Sequence, residues 1–258
     1  MSEQHVTPEP AADPGFLDRR TVVYLWLGAT FVTCLVLANV LGVKLFRFEL
    51  NMGGRTIGIE HTTGMLTFPL TFLITDLVNE YYGKKGARRM TYVAFAMAVL
   101  AYGFIWISRQ FPILEGIPGT ATQSSYENIF GAAALMYIAS VAAFLIGSLL
   151  DILIFGFFKR ITGGRWVWLR ATGSTVISQL FDSFLVTSLF FWFIPLLLGQ
   201  PKAGFMFVIE TARTGYVLKF FIALALTPFI YLGRWFLREK LGLRPVGVDG
   251  RWQIAHSK

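Results

Sequence analysis

Six apolar stretches, each about twenty residues or longer, constrain this chain more than any other feature: roughly 22–42, 63–82, 90–108, 130–156, 171–198 and 213–236. Crossing about 30 Å of hydrocarbon takes about 20 apolar residues in a helix, which satisfies its own backbone polar groups where water cannot. The sequence therefore predicts an all-α membrane protein with six transmembrane helices. Composition agrees, since 55% of the 258 residues are hydrophobic and the mean hydropathy is +0.58, well above a soluble domain of this length. Residues 1–18, rich in Pro, Ala and acids, read as a disordered cytoplasmic tail. Residues 19–240 read as a six-helix transmembrane domain, and 241–258 as a cytoplasmic tail too short to fold alone.

The net charge of +8 sits in alternate loops. Sixteen Lys and Arg residues fall before the first span, after the second, after the fourth and after the sixth; six fall in the opposite loops, and Lys219 lies inside a span. Basic residues stay on the cytoplasmic side, so both termini are expected there. Topology accounts for the charge, and no nucleic-acid partner is expected. The stretch GGRWVWLRA, with Arg165 and Arg170 interleaved with Trp166 and Trp168, reads as an anchor at the lipid headgroups. Cys34 is the only cysteine, and His5, His61 and His256 are scattered. That pattern offers neither a disulfide nor metal-ligand spacing, and no cofactor is expected.

Ionisable groups inside the spans are the candidates for function, because each costs about 2.5–3.5 kcal/mol on insertion scales and marks a pathway or site. Residues three and four apart share a helix face, so Asp76, Asn79 and Glu80 form one stripe and Ser178, Gln179 and Asp182 another, with Ser174 and Thr175 a turn earlier. Asp182 lies about 15 Å into its span, near the midplane. Asp151 sits nearer the cytoplasmic end. Glu80 either contributes to this site or pairs with Lys84 four residues on; Asp76 and Asp182 have no local cation. Lys219 either neutralises one of these acids or reaches outward. Three spans per half give the halves opposite orientations, the arithmetic of a 3+3 inverted repeat. The outer loop at 44–61, with Gly53, Gly54 and Gly58, suits a short hairpin or re-entrant turn.

The strings DLVNEYYGKKGAR, LLDILIFGFFK and RATGSTVISQLFDSFLVTSLFF, in that order, resemble the bacterial queuosine precursor transporter family, grouped with vitamin uptake transporters. The resemblance covers roughly residues 22–236. It implies uptake across the inner membrane of a 7-deazaguanine base such as preQ0 or preQ1, a precursor of the modified tRNA base queuosine. The expected partners are that small purine-like molecule and the bilayer, and a homo-oligomer is compatible with the sequence. A carboxylate and an amide suit a guanine-like edge, which presents paired N–H donors beside a carbonyl. Substrate-binding residues are therefore expected among Asp76, Asn79, Glu80, Asp151, Ser178, Gln179 and Asp182. Two rivals remain open: a substrate-binding subunit of an energy-coupled vitamin uptake system, whose ATPase must be another chain because no G-x-x-x-x-G-K-[ST] motif occurs, and an intramembrane aspartyl hydrolase using Asp76 and Asp182.

Overall fold

The computed structural model describes residues 17–52, 55–114, 116–131, 134–163 and 166–247. The chain enters as α1, Arg19–Leu41, and turns through the antiparallel hairpin β1, Leu45–Met52, and β2, Arg55–Thr62. A 3-10 turn at Thr63–Thr67 leads into α2, Phe68–Tyr81, and then α3, Gly83–Ser108. A loop containing the short α4, Gln123–Tyr126, precedes α5, Ala134–Ile161. Next comes α6, Val167–Ser188, extended by a π turn at Leu189–Phe193 into the short α7, Ile194–Leu197; the last helix is α8, Phe205–Trp235. Five helical runs are long and apolar enough to cross a membrane: Arg19–Leu41, Gly83–Ser108, Gln123–Ile161, Trp168–Leu197 and Phe205–Lys240.

The second expected span departs from this pattern. Instead of one long helix, 63–82 holds the 3-10 turn and the 14-residue α2. Pro69 sits in the first turn of α2, where its missing N–H costs nothing. Gly83, at φ +67°, breaks the chain before α3, a conformation that side chains with a Cβ rarely adopt. At one end Thr63 Oγ1 donates to the Leu41 carbonyl at 2.6 Å, and Gly64 lies so close to the Ala38 carbonyl that a Cβ would collide with it. At the other end Arg20 donates to the Tyr81 carbonyl, Tyr82 to the Arg20 carbonyl at 2.8 Å, and Tyr24 to the Gly86 carbonyl at 2.7 Å. Residues 63–82 therefore run antiparallel to α1 along its whole length. The 3-10 turn and α2 together extend about 31 Å.

Helix α2 is the axis of the bundle. It packs against α1, α3, α5 and α8, and Ile74 together with all six residues from Asp76 to Tyr81 is buried. The outer faces are apolar and exposed, as at Trp26, Phe104 and Phe221, which is how a helix faces lipid. One core cluster joins Phe31, Ile74, Val78, Met90, Val141 and Ile152. Ala87, Ala94 and Ala98 are fully buried on α3; such small side chains let membrane helices approach closely. The expected outer hairpin is present, in register from Leu45 opposite Thr62 to Met52 opposite Arg55. The expected tails, up to residue 16 and from 248, lie outside the described residues, as do Gly53, Gly54 and Arg165.

Candidate functional site

The polar residues of α2 are met by polar residues from the surrounding helices, and the result is a charged column in three layers. The first lies where α2 ends and α6 begins. Glu80 accepts from Arg170 of α6 and from Lys159 of α5 at 3.3 Å, with Arg234 of α8 at 3.6 Å. Arg170 is 1% exposed and Glu80 4%. The Tyr81 hydroxyl donates to the Arg234 carbonyl at 3.0 Å, and the Val246 N–H donates to the Glu80 carbonyl at 2.9 Å, so the segment after α8 straps this end. Buried charge of this kind persists only when paired and hydrogen-bonded, and one carboxylate holds three helices to α2.

The second layer is one to two turns deeper. Asp76 has Asp151 of α5, Glu80 and Arg170 within electrostatic reach. Asp151 Oδ1 accepts from the Ser178 hydroxyl of α6 at 3.1 Å, and Ser174 lies against the same carboxylate. Among the described residues, Asp76 Oδ1 and the Asn79 amide nitrogen are buried without a hydrogen-bond partner.

The third layer is one further turn along α6. Asp182 Oδ2 accepts from Lys219 of α8 at 2.5 Å. Lys219 also sits 4.9 Å above the Phe68 ring, which is stacked with Phe72 at 5.8 Å. The Asp182 side chain remains 17% exposed, against 5% for Glu80. Gly147 of α5 leaves the space beside Asp182 in which a Cβ would be 3.4 Å from its side chain. His61, at the foot of the hairpin, lies over Gly215 of α8. Burial, with Lys219 nearby, holds the His61 imidazole below its ordinary pKa. Its Nδ1 accepts from the Thr62 N–H at 2.9 Å, which leaves Nε2 as the protonated nitrogen of the neutral ring.

Of the seven expected residues, Asp76, Asp151 and Ser178 come together in one layer, and Asn79 is on the same face of α2 a turn away. Glu80 belongs to the first layer, Asp182 to the third, and Gln179 is half-buried between them on α6 with no hydrogen bond among the described residues. Two expectations change and one open choice is decided. Glu80 is neutralised by Lys159, Arg170 and Arg234 from other helices, because Lys84, at the start of α3 beyond the Gly83 break, is exposed. Asp182, which has no cation near it in sequence, pairs with Lys219 from α8, and this decides between the two roles the sequence left open for that lysine. Arg170 lies not at the headgroups but fully buried, while Trp166 and Trp168 keep the exposed position. Arg170 is thus the functional residue that sequence reasoning missed; the signal was its place at the head of the small, polar run A-T-G-S-T. Asp182 is engaged by Lys219, and the acid from another helix within electrostatic reach of Asp76 is Asp151. The dyad expected of an aspartyl hydrolase is therefore not formed by the residues proposed for it. A shallow recess between α1, α3 and α5, lined by Asn39, Tyr102 and Phe130, lies away from this column and offers a single amide, which already donates to its own helix at Leu35.

A bundle with an apolar outer wall and an axis of buried carboxylates, amides and paired cations belongs to the class of multi-pass membrane transporters, in which charged groups face an internal pathway. The chain is a member of the family described as "Putative vitamin uptake transporter", which it matches over residues 62–233. That span takes in every charged residue of the column except Arg234. The chain is similar to a Bacillus subtilis (strain 168) protein named "Probable queuosine precursor transporter", 28% identical over 213 residues, or 82% of this chain and 83% of the relative. A Haemophilus influenzae protein (strain ATCC 51907 / DSM 11121 / KW20 / Rd) of the same name is 25% identical over 178 residues, 67% of this chain and 71% of the relative. The Escherichia coli (strain K12) "Queuosine precursor transporter" is 29% identical over 136 residues, 53% of this chain and 58% of the relative. No solved structure gives a significant match.

Proposed function

We propose that this protein takes up a queuosine precursor, a base of the 7-deazaguanine type, across the inner membrane, and that it binds the base at the Asp182 layer. The observation that carries the binding site is the accessibility of Asp182 beside Lys219 and Phe68, while Glu80, in the first layer, is closed in. A carboxylate accepts the adjacent N–H and NH2 donors of a guanine-like edge in bidentate fashion. Gln179, on the same helix and without another hydrogen bond among the described residues, suits the neighbouring carbonyl. The Phe68 ring offers a stacking face, worth about 1–3 kcal/mol per base. Binding would displace Lys219 from Asp182, so that the resting ion pair keeps the empty site compensated. The names of the relatives support the substrate class.

In this reading the chain crosses six times, with both termini cytoplasmic and three crossings in each half, the 63–82 segment serving as the second. The sixteen-to-six division of basic residues supports the orientation, and the Glu80 layer then closes the cytoplasmic end while Asp182 faces the outer half. The test is exchange of labelled base into proteoliposomes preloaded with unlabelled base, using purified protein alone. Wild type should exchange, and Asp182→Asn and Gln179→Ala should lose about ten- to a hundredfold in affinity, the worth of about 1–3 kcal/mol. Exchange that appears only when an ATPase partner is added would favour the energy-coupled subunit instead.

A further inference from the structure

Between the layer that closes the bundle and the layer assigned to the base, two acids have no task in recognition. Asp76 is 3% exposed and Asp151 6%, and Asp151 of α5 lies within electrostatic reach of Asp76 on α2. Asp151 accepts from the Ser178 hydroxyl, with Ser174 beside it. Among the described residues Asp76 Oδ1 meets no donor, and on the same face the 3% exposed Asn79 has an amide nitrogen that meets no acceptor. The other charges around Asp76 are Glu80 on its own helix and Arg170 from α6. Lys159 of α5 and Arg234 of α8 pair with Glu80, and Arg20 of α1 reaches the Tyr81 carbonyl, all nearer the closed end. From α3, Lys84 and Lys85 are exposed. The cations are thus gathered on Glu80, and two carboxylates are left within reach of each other in a dry interior, where like charges do not both stay ionised.

We propose that Asp76 and Asp151 together hold one transportable proton, carried inward with the base, so that a proton gradient drives uptake; this rests on the base-transport reading above. With the proton on Asp76, Oδ1 becomes an O–H donor, and Asp151, fixed by Ser178, remains the acceptor. When the Glu80 layer parts, water reaches the pair and the proton passes to it. Each cycle takes one proton from the outer water and delivers one to the inner water, and no bond in the base changes. Ser178 and Asp182 lie one turn apart on α6, so proton and base act on the same helix.

The experiment uses full-length protein in proteoliposomes with the membrane potential clamped at zero and external pH held constant, so that His61 stays in one protonation state. An inward gradient of about one pH unit should drive about tenfold accumulation of labelled base, the equivalent of one proton per base. Asp76→Asn and Asp151→Asn should each bring the accumulation ratio to one, at whatever rate of exchange remains. Adding base outside wild-type vesicles without a gradient should acidify the interior, as read by a trapped dye. Wild-type exchange with no accumulation under the proton gradient, accumulation that follows a sodium gradient instead, or tenfold accumulation by both variants would each overturn the proposal. Should neither variant fold, the dye decides: base entry without acidification overturns it. Failure of wild type to exchange base at all removes the base-transport reading, and this one with it.

Discussion

Glu80 shows how much a single carboxylate can hold in a dry interior. Arg170 and Lys159 lie within its reach at 1% and 11% side-chain exposure. Removing one partner of a buried pair leaves an uncompensated charge, at about 3–5 kcal/mol. Glu80→Gln strands more than one, so it is expected to lower thermal stability in detergent more than Asp76→Asn does, although Glu80 is nearer the membrane surface; size-exclusion melting curves rank the two. Asp182 and Lys219 give the opposite test. Each single neutralisation, Asp182→Asn or Lys219→Met, strands the other charge. The double variant removes both and should regain most of the lost stability, a coupling of about 0.5–3 kcal/mol in a double-mutant cycle. Base exchange should stay lost in the double variant. Recovered exchange would show that Asp182 compensates Lys219 and does nothing for substrate.

At the scale of elements, hydropathy predicted the long helices because lipid leaves each outer face apolar whatever packs inside. It misread α2 for the converse reason. A segment wrapped by α1, α3, α5 and α8 need not be uniformly helical, since protein rather than lipid satisfies its polar groups. The hairpin at 45–62 was legible from its glycines. The acids of the column were legible as costly groups, and Lys219 as a candidate counter-ion, but the partners of Glu80 were not, because Lys159, Arg170 and Arg234 come from helices distant in sequence and looked like topology signals. Gly64 records how tightly the non-regular entry of α2 docks. A Cβ there would collide with the Ala38 carbonyl, which is backbone and cannot swing aside. Gly64→Ala should therefore separate the 3-10 turn from α1, at about 1–3 kcal/mol. Gly103, with nothing within 4 Å of its would-be Cβ, should accept alanine, so comparing the melting temperatures of the two variants isolates the contact.

For the molecule as a whole, everything depends on whether 63–82 crosses the membrane. Its contacts with α1 at both ends, from Leu41 with Thr63 to Arg20 with Tyr81, match the length of a crossing, yet only 14 of its residues are α-helical. If it crosses, the loop before β1 and the start of α3 face opposite sides; with five crossings they share one. Cys34 is the only cysteine and is buried, so Cys34→Ala provides a background for single-cysteine labelling at exposed positions. In spheroplasts, a membrane-impermeant maleimide should label Lys44→Cys, Ser124→Cys and Lys202→Cys, and should reach Lys85→Cys and Arg160→Cys only after the membrane is opened. Lys44 and Lys85 decide the matter, because they flank α2 and no other crossing lies between them. Labelling of both from the same side would leave α2 as a re-entrant plug. The Glu80 layer would then lie on the same side as the hairpin, and the proton path through Asp76 would have to open in the other direction.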